Sequence, residues 1–501
     1  MARRWLRSRP TLAGLVIIIA LVPFGGCSAQ QGPKALWGAC AGIIDTGNEG
    51  LPPERQNLLE FRCGRVIVPL DHDSPSGETL ALQLVRVHQT STPARDPLLL
   101  IAGGPGQSGV DTMRAAAGYL PTGLLDSFDL IGFDPRGVAR SGAIRCGDPA
   151  DDPQPLPDPI TPAGFDSLAE QARTATRQCA NALGPRASLF NTTSTARDID
   201  LIREALGVER LTYLGWSYGA KLGAEYAHLH PEAVRAAVLD APSDPTTTWI
   251  ASMERQVDGF DHSFDQFVQW CQSRTACDPL GDVRAFAAKV IRTAETTPIA
   301  SGRPSDHLPS NGTDVIEGII GALYDNVRWP DLAEGLDEAA RGDSGTLRAL
   351  AEAGGFPTDA ADRDTNTADA NFVINCNDSA PGPTLDEIRA AAAAMVERSP
   401  LLGAWGSFSL FGCAFWEPQR HTLTPPTAPT KDPLVVVGTV HDPATPYAGA
   451  GVMARTLGNA VLLTWEGEGH TAVGRDRCIG DLVTDYLVTL KVPPDGTRCP
   501  A

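Results

Sequence analysis

The stretch 211–219, Leu-Thr-Tyr-Leu-Gly-Trp-Ser-Tyr-Gly, constrains the fold more than any other part of the chain. Its first half is apolar, β-branched and aromatic, the make-up of a buried strand. It runs into Gly215-Trp216-Ser217-Tyr218-Gly219, and helix-forming residues follow from Ala220. A strand, a sharp turn and a helix in that order, with serine at the apex, make a nucleophile elbow. The glycines flank the serine because so tight a turn leaves no room for side chains. Ser217 is thereby predicted at the top of a sheet and at a helix N-terminus, where developing negative charge is favoured. In a chain with 50 glycines the five-residue pattern alone says little; the strand before it and the helix after it carry the reading.

The flanking sequence repeats that rhythm. Residues 63–70 and 79–87 alternate as two strands joined by Asp-Ser-Pro-Ser-Gly turn chemistry. Pro97-Leu-Leu-Leu-Ile101 and Phe128-Asp-Leu-Ile-Gly-Phe133 are continuous apolar runs, as expected of strands buried on both faces. A helix is expected over 195–206, with Thr195 and Asp198 placed like a capping pair, and another strand over 234–239. Strands alternating with helices predict a parallel α/β sheet. The alternation stops at 244 and resumes near 426. Between them, Trp249, Met253, Val257, Phe260, Phe264, Phe267 and Trp270 recur every three or four residues, an amphipathic helix. Pro330 sits where a first helical turn accepts it, and Thr384 with Glu387 forms a capping box. Residues 244–425 therefore read as a helical cap inserted into an α/β core of 61–243 and 426–501. The core's second part holds a strand over 433–438, a helix over 446–457, a strand over 460–465 and a closing helix over 474–490.

A serine hydroxyl needs a base to take its proton and a third group to orient the base. His470 follows the last long strand in Glu466-Gly-Glu-Gly-His470, and Asp442 follows the preceding one in Gly438-Thr-Val-His-Asp442. Ser217, Asp442 and His470 keep the chain order serine, acid, histidine of α/β-hydrolases. Asp240, at the end of the strand after the elbow, is the alternative acid. His441 should point away from the site, and His228, His230 and His421 lie off it. An oxyanion hole needs two backbone N–H groups. These are assigned to Tyr218, next after the nucleophile, and to Gly104 in Gly103-Gly-Pro-Gly106, where missing side chains allow close approach.

Taken together, these motifs resemble the α/β-hydrolase peptidases that include proline iminopeptidases and actinobacterial tripeptidyl aminopeptidases. The resemblance rests on Gly103-Gly-Pro-Gly106, Asp134-Pro-Arg-Gly137, Gly215-Trp-Ser-Tyr-Gly219, Asp442-Pro-Ala-Thr-Pro-Tyr447, Gly467-Glu-Gly-His-Thr471 and Cys63-Gly-Arg-Val-Ile-Val-Pro-Leu-Asp71. It spans nearly the whole chain after residue 27. Ala102, Gln107 and Val138-Ala139 depart from the family pattern, the first two beside the oxyanion loop. The resemblance implies an α/β-hydrolase fold and an exported serine exopeptidase acting at free N-termini without a cofactor. Such an enzyme needs an acid in the cap for the substrate ammonium, because a buried cation must be paired. Glu254, Asp258 and Asp378 are the candidates. A carboxylesterase with the same triad is the alternative, and a non-enzymatic surface lipoprotein a third reading that the intact triad disfavours.

The N-terminus speaks to location. Arg3, Arg4, Arg7 and Arg9 precede an apolar run at 12–24, a signal peptide over 1–26. It ends in Phe24-Gly25-Gly26-Cys27, which resembles a bacterial lipobox with Phe24 in place of an aliphatic residue. Cys27 is then the lipidated N-terminus and membrane anchor; plain secretion is the alternative. A Gly- and Pro-rich arm, expected to be irregular, leads to the core over 27–60. Ten of the 11 cysteines remain, an even number that an exported protein can oxidise. Pairing in sequence order gives Cys40–Cys63, Cys146–Cys179, Cys271–Cys277, Cys376–Cys413 and Cys478–Cys499. No zinc spacing occurs, so a metal site is not expected. The net charge of −19 disfavours nucleic-acid or polybasic membrane-surface binding.

Overall fold

The computed structural model describes residues 34–501 apart from 45, 48–50, 91–92, 148–156, 305, 307 and 357–365; the signal segment and Cys27 lie outside the described residues. The strands are β1 (Leu36–Gly38), β2 (Leu59–Pro69), β3 (Thr79–Gln89), β4 (Pro97–Ile101), β5 (Asp129–Phe133), β6 (Leu211–Trp216), β7 (Val234–Asp240), β8 (Leu434–His441), β9 (Ala460–Glu468) and β10 (Thr497–Cys499). They form one sheet in the order β1-β2-β3-β5-β4-β6-β7-β8-β9-β10. From β5 to β10 every pairing is parallel; β1, β2 and β3 add an antiparallel edge. The central strands are apolar along most of their length because both faces are covered. Leu99 and Ile101 of β4 point into one core with Tyr213, Leu222 and Ile199, while Leu98 and Leu100 point into the other with Val110, Val238 and Ile479.

Several local expectations need correction. The arm before residue 60 contributes β1, which pairs Trp37 with Gly64 of β2. The helix expected from 195 spans Thr192–Leu206, and its cap is Asn191, whose side chain accepts from Ser194 N. Asp198, the expected capping partner, is fully buried and takes Arg136 Nε and Nη2 at 2.7 Å each. A 22-residue helix, Pro162–Leu183, capped by Thr161, lies where no element was assigned.

Between β7 and β8 the described segments are helical, with one isolated bridge, Ile299 to Ser310. The expected amphipathic helix spans Trp249–Cys271. Pro330 lies in the first turn of Trp329–Ala340, and both arms of the Thr384–Glu387 capping box are formed. This insertion has its own apolar core of Phe260, Phe264, Phe267, Ile319, Leu332 and Leu350. The helix Pro162–Leu183 belongs with it: Phe165 and Leu168 pack with Ile388, Met395 and Leu410 of the insertion. All five disulfides form in the sequence-order pairing.

Candidate active site

Strand β6 lies at the middle of the sheet, and its C-terminal end delivers Ser217. Of residues 211–220, Ser217 is the one that is not buried. Its backbone sits at φ 56°, ψ −119°, a conformation that costs a non-glycine residue free energy. The surroundings hold it there. Ser217 N donates to Asp240 O at 2.8 Å, and Ala220 N donates to Ser217 O at 2.9 Å. A Cβ on Gly215 would lie 2.2 Å from Gly219 O, and one on Gly219 would lie 2.1 Å from Ile101 O. Those obstacles are backbone, so neither glycine has a substitute.

Asp442 follows β8 directly and is 4% exposed. Its Oδ1 accepts from Ala444 N at 3.0 Å and Thr445 N at 2.8 Å, which fixes the carboxylate in its own turn. Both carboxylate oxygens lie 2.9 Å from His470 Nδ1. The His470 backbone is held too, and its ring has a further neighbour. His470 N donates to Tyr324 O at 2.9 Å, Arg475 Nη1 donates to His470 O at 3.1 Å, and the Tyr324 ring meets the imidazole edge-on at 5.5 Å. With Nδ1 committed to Asp442, Nε2 is the nitrogen left to exchange a proton with a hydroxyl.

The rivals go elsewhere. Asp240 turns its carboxylate to Ala472 N and Val473 N. His441 stacks on His262 at 5.3 Å, with the two rings 3.1 Å apart through nitrogen. Burial holds the His441 imidazole below its ordinary pKa. His228 meets Thr427 O, and His230 packs on the Tyr226 ring.

The glycine loop lies against the elbow. A Cβ on Gly103 would come 3.3 Å from Ser217 Cβ, and Gly104 is exposed at φ +108°. Among the described residues neither Gly104 N nor Tyr218 N donates to a protein acceptor. The Tyr218 side chain is buried behind the elbow, with its hydroxyl 2.7 Å from Thr192 Oγ1. Asp134 of the Asp-Pro-Arg-Gly segment accepts from Ser108 Oγ at 2.5 Å and Val110 N at 3.1 Å, pinning the helix that follows the loop. Gln107, one of the departures, reaches back to Gly103, with Oε1 3.2 Å from where a Cβ would stand.

The insertion touches each of these loops. Asn371 Nδ2 donates to Pro105 O, Gln256 Nε2 donates to Ala444 O, and Tyr324 O receives His470 N. Its three expected ammonium acceptors are occupied. Glu254 and Asp258 both pair with Arg398. Asp378 is buried on Thr192 N, Thr192 Oγ1 and Lys221 Nζ, behind the elbow helix. The sequence reading passed over Glu317, which no motif marks. It lies, partly buried, on the helix Gly312–Leu323 and is hydrogen-bonded to Trp405. No cation pairs with it among the described residues. Burial first, and Asp314 second, push its carboxyl up to about 8. Trp405 continues through Phe260 to Tyr324 and so to His470, with successive ring centres 6.2, 5.4 and 5.5 Å apart.

A serine at a strained strand-to-helix turn, a bidentate carboxylate–imidazole pair at two later strand ends and a helical insertion above define a serine hydrolase of the α/β-hydrolase class. The family described as alpha/beta hydrolase fold matches residues 96–293, and a TAP-like family matches 399–499. Serine protease Hip1 of Mycobacterium tuberculosis is 35% identical over 459 residues, covering 87% of each chain. Carboxylesterase B of the same organism is 34% identical over 536 residues, covering 100% of each, and tripeptidyl aminopeptidase of Streptomyces lividans is 29% identical over 462 residues, covering 88% and 83%. This chain belongs to the α/β-hydrolase family, in its branch of serine peptidases, and it is a serine hydrolase.

Proposed function

We propose that Ser217 is the nucleophile, His470 its general base and Asp442 the orienting acid, and that the substrates are short peptides with a free N-terminus. His470 Nε2 takes the Ser217 proton as the oxygen attacks the scissile carbonyl. The N–H groups of Gly104 and Tyr218 receive the oxyanion, His470 returns the proton to the leaving amine, and water then releases the acyl group by the same route. The aminopeptidase reading is supported by Glu317, a partly buried carboxyl with no cation paired to it among the described residues, on the aromatic wall that leads to His470. A substrate ammonium there would supply the missing partner and let the group ionise. Export, with a lipid anchor on Cys27, belongs to the same proposal; it is supported by five disulfides, which an oxidising compartment maintains.

The second reading is a carboxylesterase, favoured by that same apolar wall of Tyr324, Phe260 and Trp405 and by the relative named carboxylesterase B. A panel of peptides of graded length, free and N-acetylated, separates the two. Preference for free N-termini supports the peptidase, and equal turnover of both forms supports the esterase. Ser217→Ala should fold, lose turnover and lose fluorophosphonate labelling together. Continued labelling and hydrolysis in that variant would refute the nucleophile.

A further inference from the structure

Asp240 touches both halves of the reaction centre while belonging to neither. It ends β7, is fully buried, and pairs in register with Trp216, the residue before the nucleophile. Its carbonyl oxygen receives Ser217 N at 2.8 Å. Its carboxylate receives Ala472 N at 3.0 and 3.1 Å and Val473 N at 2.8 Å, two and three residues beyond His470. Ala472 and Val473, which carry those N–H groups, are buried. Thr471, between them and His470, stands at φ 69°, a strained conformation that something must hold. We infer that Asp240 is a positioning residue: its ionised carboxylate clamps the 471–473 turn to the strand that holds Ser217, and so sets the distance and angle between imidazole and hydroxyl.

The inference rests on the assignment of Ser217, His470 and Asp442 to the reaction, but not on the nature of the substrate. A carboxylate suits the task because it accepts from both N–H groups at once. Oδ2 takes both N–H groups and Oδ1 takes Ala472 N a second time at 3.1 Å, so an amide in its place loses the charge and turns an NH₂ group toward Ala472 N. The clamp is also sensitive to protonation. Burial raises the Asp240 carboxyl to about 6, against the two N–H bonds and the His470 charge that lower it; Asp442 adds to the rise. Tyr119, whose phenol is pushed up to about 12 by burial first and by Asp240 second, is the titratable group facing it from the helix Gly109–Tyr119. Arg475 influences Tyr119 and binds the His470 carbonyl from the other side of the turn.

The test uses the full-length enzyme, a p-nitrophenyl ester and a fluorophosphonate probe. In the wild type, kcat should fall more steeply on the acid side than in Asp240→Asn, where no carboxylate is left at that position to protonate. That variant should lose kcat by about 10²-fold, the scale of an ångström's misplacement, with KM nearly unchanged. Probe labelling should slow by the same factor. Wild-type kcat and pH profile in folded Asp240→Asn would overturn the inference. A loss confined to the unfolded fraction, with folded molecules labelling at the wild-type rate, would make Asp240 merely structural. A loss as deep as that of Asp442→Asn would make Asp240 the acid itself. If Ser217→Ala still turns over, the triad assignment fails first, and this reading fails with it.

Discussion

At the scale of single residues, the contrast between Asp442 and Asp240 shows how burial and direction divide labour between like groups. Asp240 ends one parallel strand and Asp442 follows the next, and both carboxylates are buried. One faces an imidazole and the other faces two backbone N–H groups. Asp442→Asn should therefore misorient His470 and lower kcat by about 10⁴-fold, as in other triads. Steady-state kinetics on one ester, with the probe as a check on the active fraction, measures this. Glu317 gives a second expectation, with a sign that can be worked out. Its folded-state pKa of about 8 lies above the ordinary 4.5. Between those values the unfolded chain has released the proton while the folded chain keeps it, so this group's contribution to stability falls as pH rises. Glu317→Gln cannot ionise. Its melting temperature should gain on the wild type as pH rises through that window, while its preference for free over N-acetylated peptides disappears. Thermal melts at several pH values and the peptide panel report the two effects separately.

At the scale of elements, the elbow is a local sequence whose strain is held by its neighbours. Gly219 packs against Ile101 O of β4, so the tightness of the turn is set by a strand more than a hundred residues away in sequence. Gly219→Ala should force β4 and the elbow helix apart. About 1–3 kcal/mol of stability should go, the usual cost of overpacking, and folded molecules should label with fluorophosphonate about 10²-fold more slowly. Denaturant melts and labelling rates check the two parts independently. The same scale shows what periodicity could and could not reveal. The helix Trp249–Cys271 was legible because Phe260, Phe264 and Phe267 line one face. The helix Pro162–Leu183 offered Thr161 as a cap, Pro162 at its first turn and Phe165, Leu168 and Ala169 on one side. Those signals were present, but its apolar face is short and rich in alanine, and it follows a stretch dense in proline.

At the scale of the molecule, the insertion rests on the glycine loop, the acid loop and the histidine loop together. On the proposed reading it limits entry to short or flexible chains and excludes water when a substrate is bound. The intact enzyme should hydrolyse small peptides or esters and leave folded proteins uncut at internal bonds. Incubation with a folded protein followed by mass spectrometry tests this, and efficient internal cleavage would rule out such a restriction. Cys376–Cys413 joins the helices Thr367–Asp378 and Gly403–Ala414 of the insertion. Replacing both cysteines with serine should lower stability by about 2–4 kcal/mol. Denaturant unfolding of the double variant against the wild type measures it.

The sequence alone determined what depends on near neighbours and on order along the chain. The strand–turn–helix at Ser217, the order of serine, acid and histidine, the helical interruption of the α/β rhythm and the consecutive cysteine pairs all lie in short stretches or in their succession. Tertiary structure decided whatever depends on which way a side chain faces once distant stretches meet. Glu254, Asp258 and Asp378 were plausible acceptors until Arg398, Thr192 and Lys221 were seen to hold them. Glu317 carries no motif, and its chemistry comes from its partly buried place beside Trp405 with no cation paired to it among the described residues. Asp198 was read as a helix cap because three residues separate it from Thr195, yet Arg136, 62 residues away, claims it. A carboxylate's role follows from its partner and its burial, and both are properties of the packed chain rather than of the letters on either side.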